Sequence, residues 1–188
     1  KKVNKNFKIY ISTTGNALRE NIHDWVFKYT DILKFSIYGF SEDVYKKVMG
    51  GLKYSKSLTN IIKFLEINKK FNNKIYTIGN YIRMDENKHE EKDWKKFWEP
   101  KLDEIYVWLP HNYVDGRKYR TIDKTQQKTC GRPLEGPLNI AVDGKAHVCC
   151  FDYNKKLVIG DIKNSTIEEV LSSTEMKKIQ EQHRKNDF

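Results

Sequence analysis

The feature that most constrains this chain is a fourfold alternation of apolar and amphipathic segments between residues 7 and 109. Phe7 to Ser12 (FKIYIS) reads as a strand that Thr13-Thr14-Gly15-Asn16 closes in a loop. From Asn21 to Thr30, residues Ile22, Trp25, Val26 and Tyr29 fall on one helix face. Ile32 to Ile37 is a second strand, and Ser41 is placed to N-cap a short helix through Val48, broken at Gly50-Gly51. Ser57 to Asn68 is strongly amphipathic, with Leu58, Ile61, Ile62, Leu65 and Ile67 apolar, and Asn72-Asn73 turns the chain. Lys74 to Arg83 is a third strand, Lys92 to Trp98 a short helix stopped by Pro100, and Glu104 to Leu109 a fourth strand.

Such alternation predicts parallel strands joined by right-handed helical crossovers. Near-continuous apolar strands suit a sheet covered by helices or the wall of a barrel. Ligands in these folds bind at the C-terminal ends of the strands. Those ends are Thr13 to Gly15, Ser36 to Gly39, Arg83 with Asp85 to Asn87, and Trp108 to His111. Tyr113 to Thr129 is polar, basic and without periodicity, and reads as a linker.

All three cysteines lie between Cys130 and Asp161. Cys130 and Cys149 flank an Asp143-Gly144 turn, so a hairpin through that turn predicts thiols converging at its two ends. Thiolates select zinc or iron–sulfur centres. A four-thiolate site needs four ligands and the chain has 3 cysteines, so another residue, water or substrate completes the set, or further cysteines lie beyond Phe188. Two alternatives stay open. One is a buried hairpin with incidental thiols. The other is a zinc site of Cys130, Cys149 and Cys150 with His147 or His111, since His147 shares a strand face with Cys149. Beyond the hairpin, Asn164 or Ser165 is expected to cap a helix through Leu171, and Thr174 a last helix to about His183.

Three cysteines do not make a secreted disulfide framework; they fit a reduced, cytoplasmic setting. No apolar run is long enough to span a membrane, and there is no signal-like start. The first residue is Lys, which reads as a processed or truncated N-terminus. The formal charge of +10 raises the question of an anionic partner. The lysines are scattered among Asn and Ile without a block, as on a solvated surface, so neither nucleic acid nor membrane is the expected partner.

The cysteine segment resembles the start of a SPASM domain, the auxiliary-cluster domain of many radical S-adenosylmethionine (radical SAM) enzymes. Cys130, Gly144 and Cys149 have that family's spacing, and Ile159-Gly160-Asp161 followed by Ile167 to Leu171 resembles its next run. The upstream region is similar to the later half of a radical SAM partial barrel. Ser12 to Gly15 looks like the "TTNG" end of one strand, with Thr14 in place of Asn. Phe35 to Gly39 looks like "SIDG", with Tyr38 in place of Asp, and Tyr45 to Gly51 (YKKVMGG) resembles the "Y…RGG" that follows. The family's Cys-x3-Cys-x2-Cys loop, the first part of the barrel and the later SPASM cysteines are not among these residues.

The resemblance implies an α/β fold: the later half of a parallel (β/α) partial TIM barrel over 1–112, a linker over 113–129, and a small β-hairpin plus helix SPASM-like domain over 130–188. It implies that the Ser36 hydroxyl contacts S-adenosylmethionine, that Thr13 shapes the same site, and that Arg83 approaches the cofactor carboxylate as a bidentate donor. It implies Cys130 and Cys149 as ligands of an auxiliary [4Fe-4S] cluster, with Cys150 a spare ligand, a substrate contact or merely buried. Cys150 stands where sulfatase-maturing members carry an Asp base, so that role does not transfer; Asp152 is the next carboxylate along. The implied function is part of a radical SAM/SPASM enzyme acting on a peptide, protein or small-molecule substrate, the chain alone being inactive. The alternative is a non-catalytic, truncated or degenerate radical SAM-like binding module, metal-stapled or metal-free. Four barrel strands by themselves leave an open edge, which predicts a longer parent or an oligomer covering it.

Overall fold

The computed structural model describes residues 7–19, 21, 23–112, 119 and 129–187. Ile22 of the first expected helix and nearly all of the expected linker lie outside these residues. The chain divides into two compact units, Lys1–Pro110 and His111–Phe188.

The first unit is α/β. Its strands are β1 (Tyr10–Thr13), β2 (Ile32–Ser36), β3 (Tyr76–Ile82) and β4 (Glu104–Trp108). They form one sheet in the order β1-β2-β3-β4, with every neighbouring pair parallel. Parallel neighbours cannot be joined by a tight turn. The crossovers carry α1 (His23–Tyr29), then α2 (Glu42–Val48) with α3 (Tyr54–Lys70), then a single 3₁₀ turn (Lys88–Glu90) leading into α4 (Glu91–Trp98).

One sheet face is buried by the helices. Leu33, Phe35 and Ile37 point there from β2 and its end, and meet Ile61 and Phe64 of α3; all five are essentially inaccessible. The Phe64 ring stacks on Phe27 at 5.1 Å and takes the edge of Phe35 at 6.0 Å. Trp94 and Trp98 are one turn apart on α4, so both reach the same core, and Trp94 packs on Tyr81 of β3 at 5.0 Å. Helix α3 starts one turn before the expected Ser57, because Tyr54 is buried against Tyr45 at 5.4 Å. It ends at Asn72 and Asn73, both at positive φ (56° and 51°). Asn68 then clamps the start of β3, donating to the Ile75 carbonyl at 2.8 Å and accepting from the Ile75 amide at 3.1 Å. The opposite face bears Tyr10, Tyr76, Tyr106 and Trp108, all exposed.

The second unit corrects the expected hairpin. Its strands β5 (Asn139–Ile140) and β6 (Lys145–His147) pair through the Asp143-Gly144 turn, but a third strand, β7 (Val158–Asp161), joins them antiparallel in the order β5-β6-β7. Cys130 is not at the hairpin's end. Gly131, left-handed at φ 71°, and a proline in the first turn start a short helix α5 (Arg132–Glu135) between Cys130 and β5. Ala146, Val148, Ile159, Val170 and Met176 form the core of this unit, which includes α6 (Ile167–Leu171) and α7 (Thr174–Lys185). The cap of α6 is Thr166 and not Asn164 or Ser165, because only Thr166 has Glu169 three residues on to complete a capping box. Ser173 caps α7. Among the described residues no helix is long and apolar enough to cross a membrane.

Gly15, in the loop after β1, has a restricted backbone position. Its φ is +77°, and a Cβ there would lie 2.5 Å from Ile61 Cγ1 and 3.3 Å from the Ser57 carbonyl. Gly15→Ala is expected to cost roughly 2–4 kcal/mol, combining left-handed strain with overpacking. Urea unfolding of the two proteins measures it, and equal midpoints would contradict the constraint.

Candidate functional site

The C-terminal strand ends gather into one rim, and each is held by hydrogen bonds. After β1, Thr13 Oγ1 accepts from the Gly15 amide at 3.1 Å. Asn60 of α3 donates to the carbonyls of Gly15 (2.9 Å) and Asn16 (3.2 Å), fixing the loop to the helix. Thr13 thus uses its hydroxyl to set the loop's shape. Ser36 ends β2, half-buried, in register with Asn80 of β3, and Asn80 in turn with Tyr106 of β4. Asn80 Nδ2 donates to Tyr38 Oη at 3.2 Å.

Arg83 does make the bidentate carboxylate pair that its chemistry favours, but with Glu91 of α4. The distances are 2.5 Å from Nε to Oε2 and 3.0 Å from Nη2 to Oε1. Lys95 adds a third contact to Glu91 at 2.7 Å. Arg83, Lys88, Glu91, Lys92 and Lys95 line a shallow basic recess of about 500 Å³. A second recess, about 460 Å³, includes Asn73, Thr77 and Asp103, at the opposite, N-terminal ends of the strands.

The sequence reading took Asn87 only as part of the strand end from Asp85 to Asn87 and did not single out Glu90. Asn87 is fully buried; its amide nitrogen donates to the carbonyls of Tyr38 (3.0 Å) and Ile82 (2.9 Å), and its oxygen accepts from the Met84 amide (2.7 Å). Glu90 accepts from the amides of Phe40 (2.6 Å) and Ser41 (3.1 Å), leading into α2. The one sequence signal for them was their place just after a strand end.

In the second unit all three thiols are free. Cys149 is half-buried, and burial pushes its thiol up from the ordinary cysteine value. Its Sγ accepts from the Phe151 amide at 3.4 Å. Cys130 and Cys150 are exposed. Arg132 donates to Cys150 Sγ at 3.5 Å, with its guanidinium 4.8 Å from the Phe151 ring centre. The Cys149 thiol also feels the charges of Cys150, Arg132 and Cys130, so these groups share one neighbourhood. Among the described residues no three His, Cys, Asp or Glu side chains converge as a ligand set. The thiols are neighbours rather than a closed site. His147 points its Nδ1 at the Cys149 carbonyl, 3.0 Å away. A carbonyl only accepts, so Nδ1 carries the proton and the ring braces the backbone at Cys149. Asp152 is buried, and its two oxygens accept from the amides of Lys156 (2.9 Å) and Leu157 (2.7 Å). That carboxylate ties its own loop.

The family model of SPASM, an iron–sulfur cluster-binding domain, matches residues 130–188. Among solved structures, polyhistidine-tagged anSMEcpe with bound AdoMet is similar at a TM-score of 0.62 and 12% identity, over 93% of this chain and 57% of that one. Native anSMEcpe with bound AdoMet gives 0.61 at 14% identity, over 93% and 60%. The same protein with bound AdoMet and Kp18Cys peptide gives 0.62 at 14% identity, again over 93% and 60%. At these identities the likeness is one of fold. The chain therefore spans 57–60% of the length of those structures. No curated protein matches the sequence. The SPASM part of the resemblance is thus supported by the family model over residues 130–188, and the chain shares its fold with those structures.

The Arg83–Glu91–Lys95 group has a measurable acid signature. Arg83 first, with help from Lys95, lowers the Glu91 carboxyl from 4.5 to about 2. A carboxylate whose folded pKa is depressed adds stability above its unfolded pKa and loses it as the pH falls through the folded one. Glu91→Gln is expected to be less stable than wild type at neutral pH, with the gap closing between pH 4.5 and about 2. Urea unfolding at stepped pH checks this, and a gap independent of pH would refute it.

Proposed function

We propose that this chain is part of a radical S-adenosylmethionine/SPASM iron–sulfur enzyme that modifies a peptide, protein or small-molecule substrate by radical chemistry. The observation that carries the reading is the SPASM domain, with all three thiols of the chain inside it. The likeness in fold to AdoMet-bound anSMEcpe supports it. In this reading the parallel sheet is the later half of a partial barrel, and its C-terminal rim, with Ser36 and Thr13, faces S-adenosylmethionine. Arg83 is held by Glu91, so it shapes the rim's charge instead of binding the cofactor carboxylate directly.

Cys130 and Cys149 hold the auxiliary [4Fe-4S] cluster, and Cys150 is the third thiol available to it. The donor chemistry fits. Thiolate sulfur is the ligand such clusters take, and N–H donors from Phe151 and Arg132 already point at Cys149 and Cys150. With 3 cysteines in the chain, a four-thiolate set is one ligand short within it. The bound cluster supplies a redox centre beside the substrate. His147 and Asp152 hold the backbone around the cysteines in place for it. A partner covering the open sheet edges β1 and β4, from a longer parent or an oligomer, completes the barrel.

Anaerobic reconstitution with iron and sulfide tests this. Wild-type chain is expected to bind iron with the absorption and Mössbauer signature of a cubane cluster. Cys130→Ser and Cys149→Ser are each expected to lose more than about half of the iron, since removing a ligand exposes the cluster. Iron content unchanged in the double variant would end the ligand assignment, and zinc found instead of iron in anaerobically purified protein would end the cluster reading.

A further inference from the structure

Arg132 is the first residue of α5 and is half-buried. Its backbone is held on both sides. The Arg132 carbonyl accepts from the Gly136 amide at 2.7 Å, and Gln180 of α7 donates to the Pro133 carbonyl at 3.0 Å. The guanidinium is placed as firmly. Its centre lies 4.8 Å from the centre of the Phe151 ring, and His111 packs on that ring at 4.3 Å. One of its N–H groups donates to Cys150 Sγ at 3.5 Å. A neutral thiol is a weak acceptor, so this N–H gains little from it. On a thiolate sulfur the same contact is charge-assisted and roughly twice as strong. The charge is also uncompensated. Arg83 is paired with Glu91, but among the described residues no carboxylate pairs with Arg132. Stacking on an aromatic ring leaves the guanidinium its full charge. Cys149 feels that charge as well, and there it opposes the effect of burial. A fixed cation thus stands among the thiols, and it is not part of the unit's apolar core.

We propose that Arg132 supplies the positive charge that raises the reduction potential of the iron–sulfur cluster held at these cysteines. The inference rests on the cluster reading above and deepens it. Reduction adds one electron from a low-potential one-electron reductant, with no bond broken and no proton moved. The thiolate-ligated centre becomes more negative. A cation beside the sulfurs stabilises that more negative state, and hydrogen bonds to sulfur act in the same direction. A half-buried charge is screened less by salt than a surface one. Arginine keeps its proton at any working pH, so the effect does not switch off as the pH changes. Lysine would keep the charge and lose the planar stack on Phe151.

The test is an anaerobic redox titration of the reconstituted full chain, comparing wild type with Arg132→Gln and Arg132→Lys and following the reduced cluster by electron paramagnetic resonance. Iron content is expected to be equal in all three. The equilibrium for reduction is expected to weaken about tenfold in Arg132→Gln, a fall of about 59 mV for one electron, and Arg132→Lys is expected to recover most of it. Equal potentials in wild type and Arg132→Gln would overturn the charge role and leave the cluster reading standing. A fall as large in Arg132→Lys as in Arg132→Gln would do the same. Loss of the cluster in Arg132→Gln would make Arg132 a structural support and overturn the charge role too. A wild-type chain that assembles no cluster ends the cluster reading, and this role with it.

Discussion

The rim of the parallel sheet depends on the buried amide of Asn87. Three backbone groups lose water there: the Tyr38 and Ile82 carbonyls and the Met84 amide. All three are paired by this one side chain. Each such bond is worth about 1 kcal/mol net, but an unpaired buried partner costs more, so the three stand or fall together. Tyr81 Oη, donating to the Asn87 carbonyl at 2.6 Å, fixes the residue from its other side. Glu90 then takes the Phe40 and Ser41 amides, and Glu91 takes Arg83. One short segment thereby sets the end of β2, the end of β3 and the start of α2. Ser36, Tyr38 and Asn80 inherit their positions from it.

The fold was largely legible because its elements are written locally. Apolar runs of strand length, a clean helical stripe at Leu58, Ile61, Ile62 and Leu65, and glycine or asparagine breaks place all four strands and the four helices between them to within a turn. The start of α3 was misplaced by tertiary packing. Tyr54 looks like a loop residue until its burial against Tyr45 is known, so the start of α3 was set by packing and not by propensity.

The site was legible in composition and not in geometry. The three cysteines and the resemblance they carry could be read in one dimension. The path between them could not: Gly131 and Pro133 start a helical turn, and that turn, rather than the hairpin, sets the approach of Cys130. Rim contacts were further out of reach. Asn87 and Glu90 act on residues 49 and 50 positions away, and nothing in a periodic pattern marks a side chain that works at that separation. Arg83 was read as a donor to the cofactor carboxylate, whereas in the structure its guanidinium is paired with Glu91 of its own unit.

The small sheet carries a bulge: Ala146 pairs with Gly160 but His147 pairs with Val158, leaving Ile159 as the extra residue on β7. This lets Ala146, His147 and Val148 all be buried in succession, which strict alternation forbids. The stretch from the Gly144 turn to Cys149 is therefore of fixed length. An insertion within it would swing the thiol pair to the opposite side of the strand. In the loop from Cys150 to Leu157, Asp152 accepts from the Lys156 and Leu157 amides and Lys155 pairs with Asp143 beside the turn.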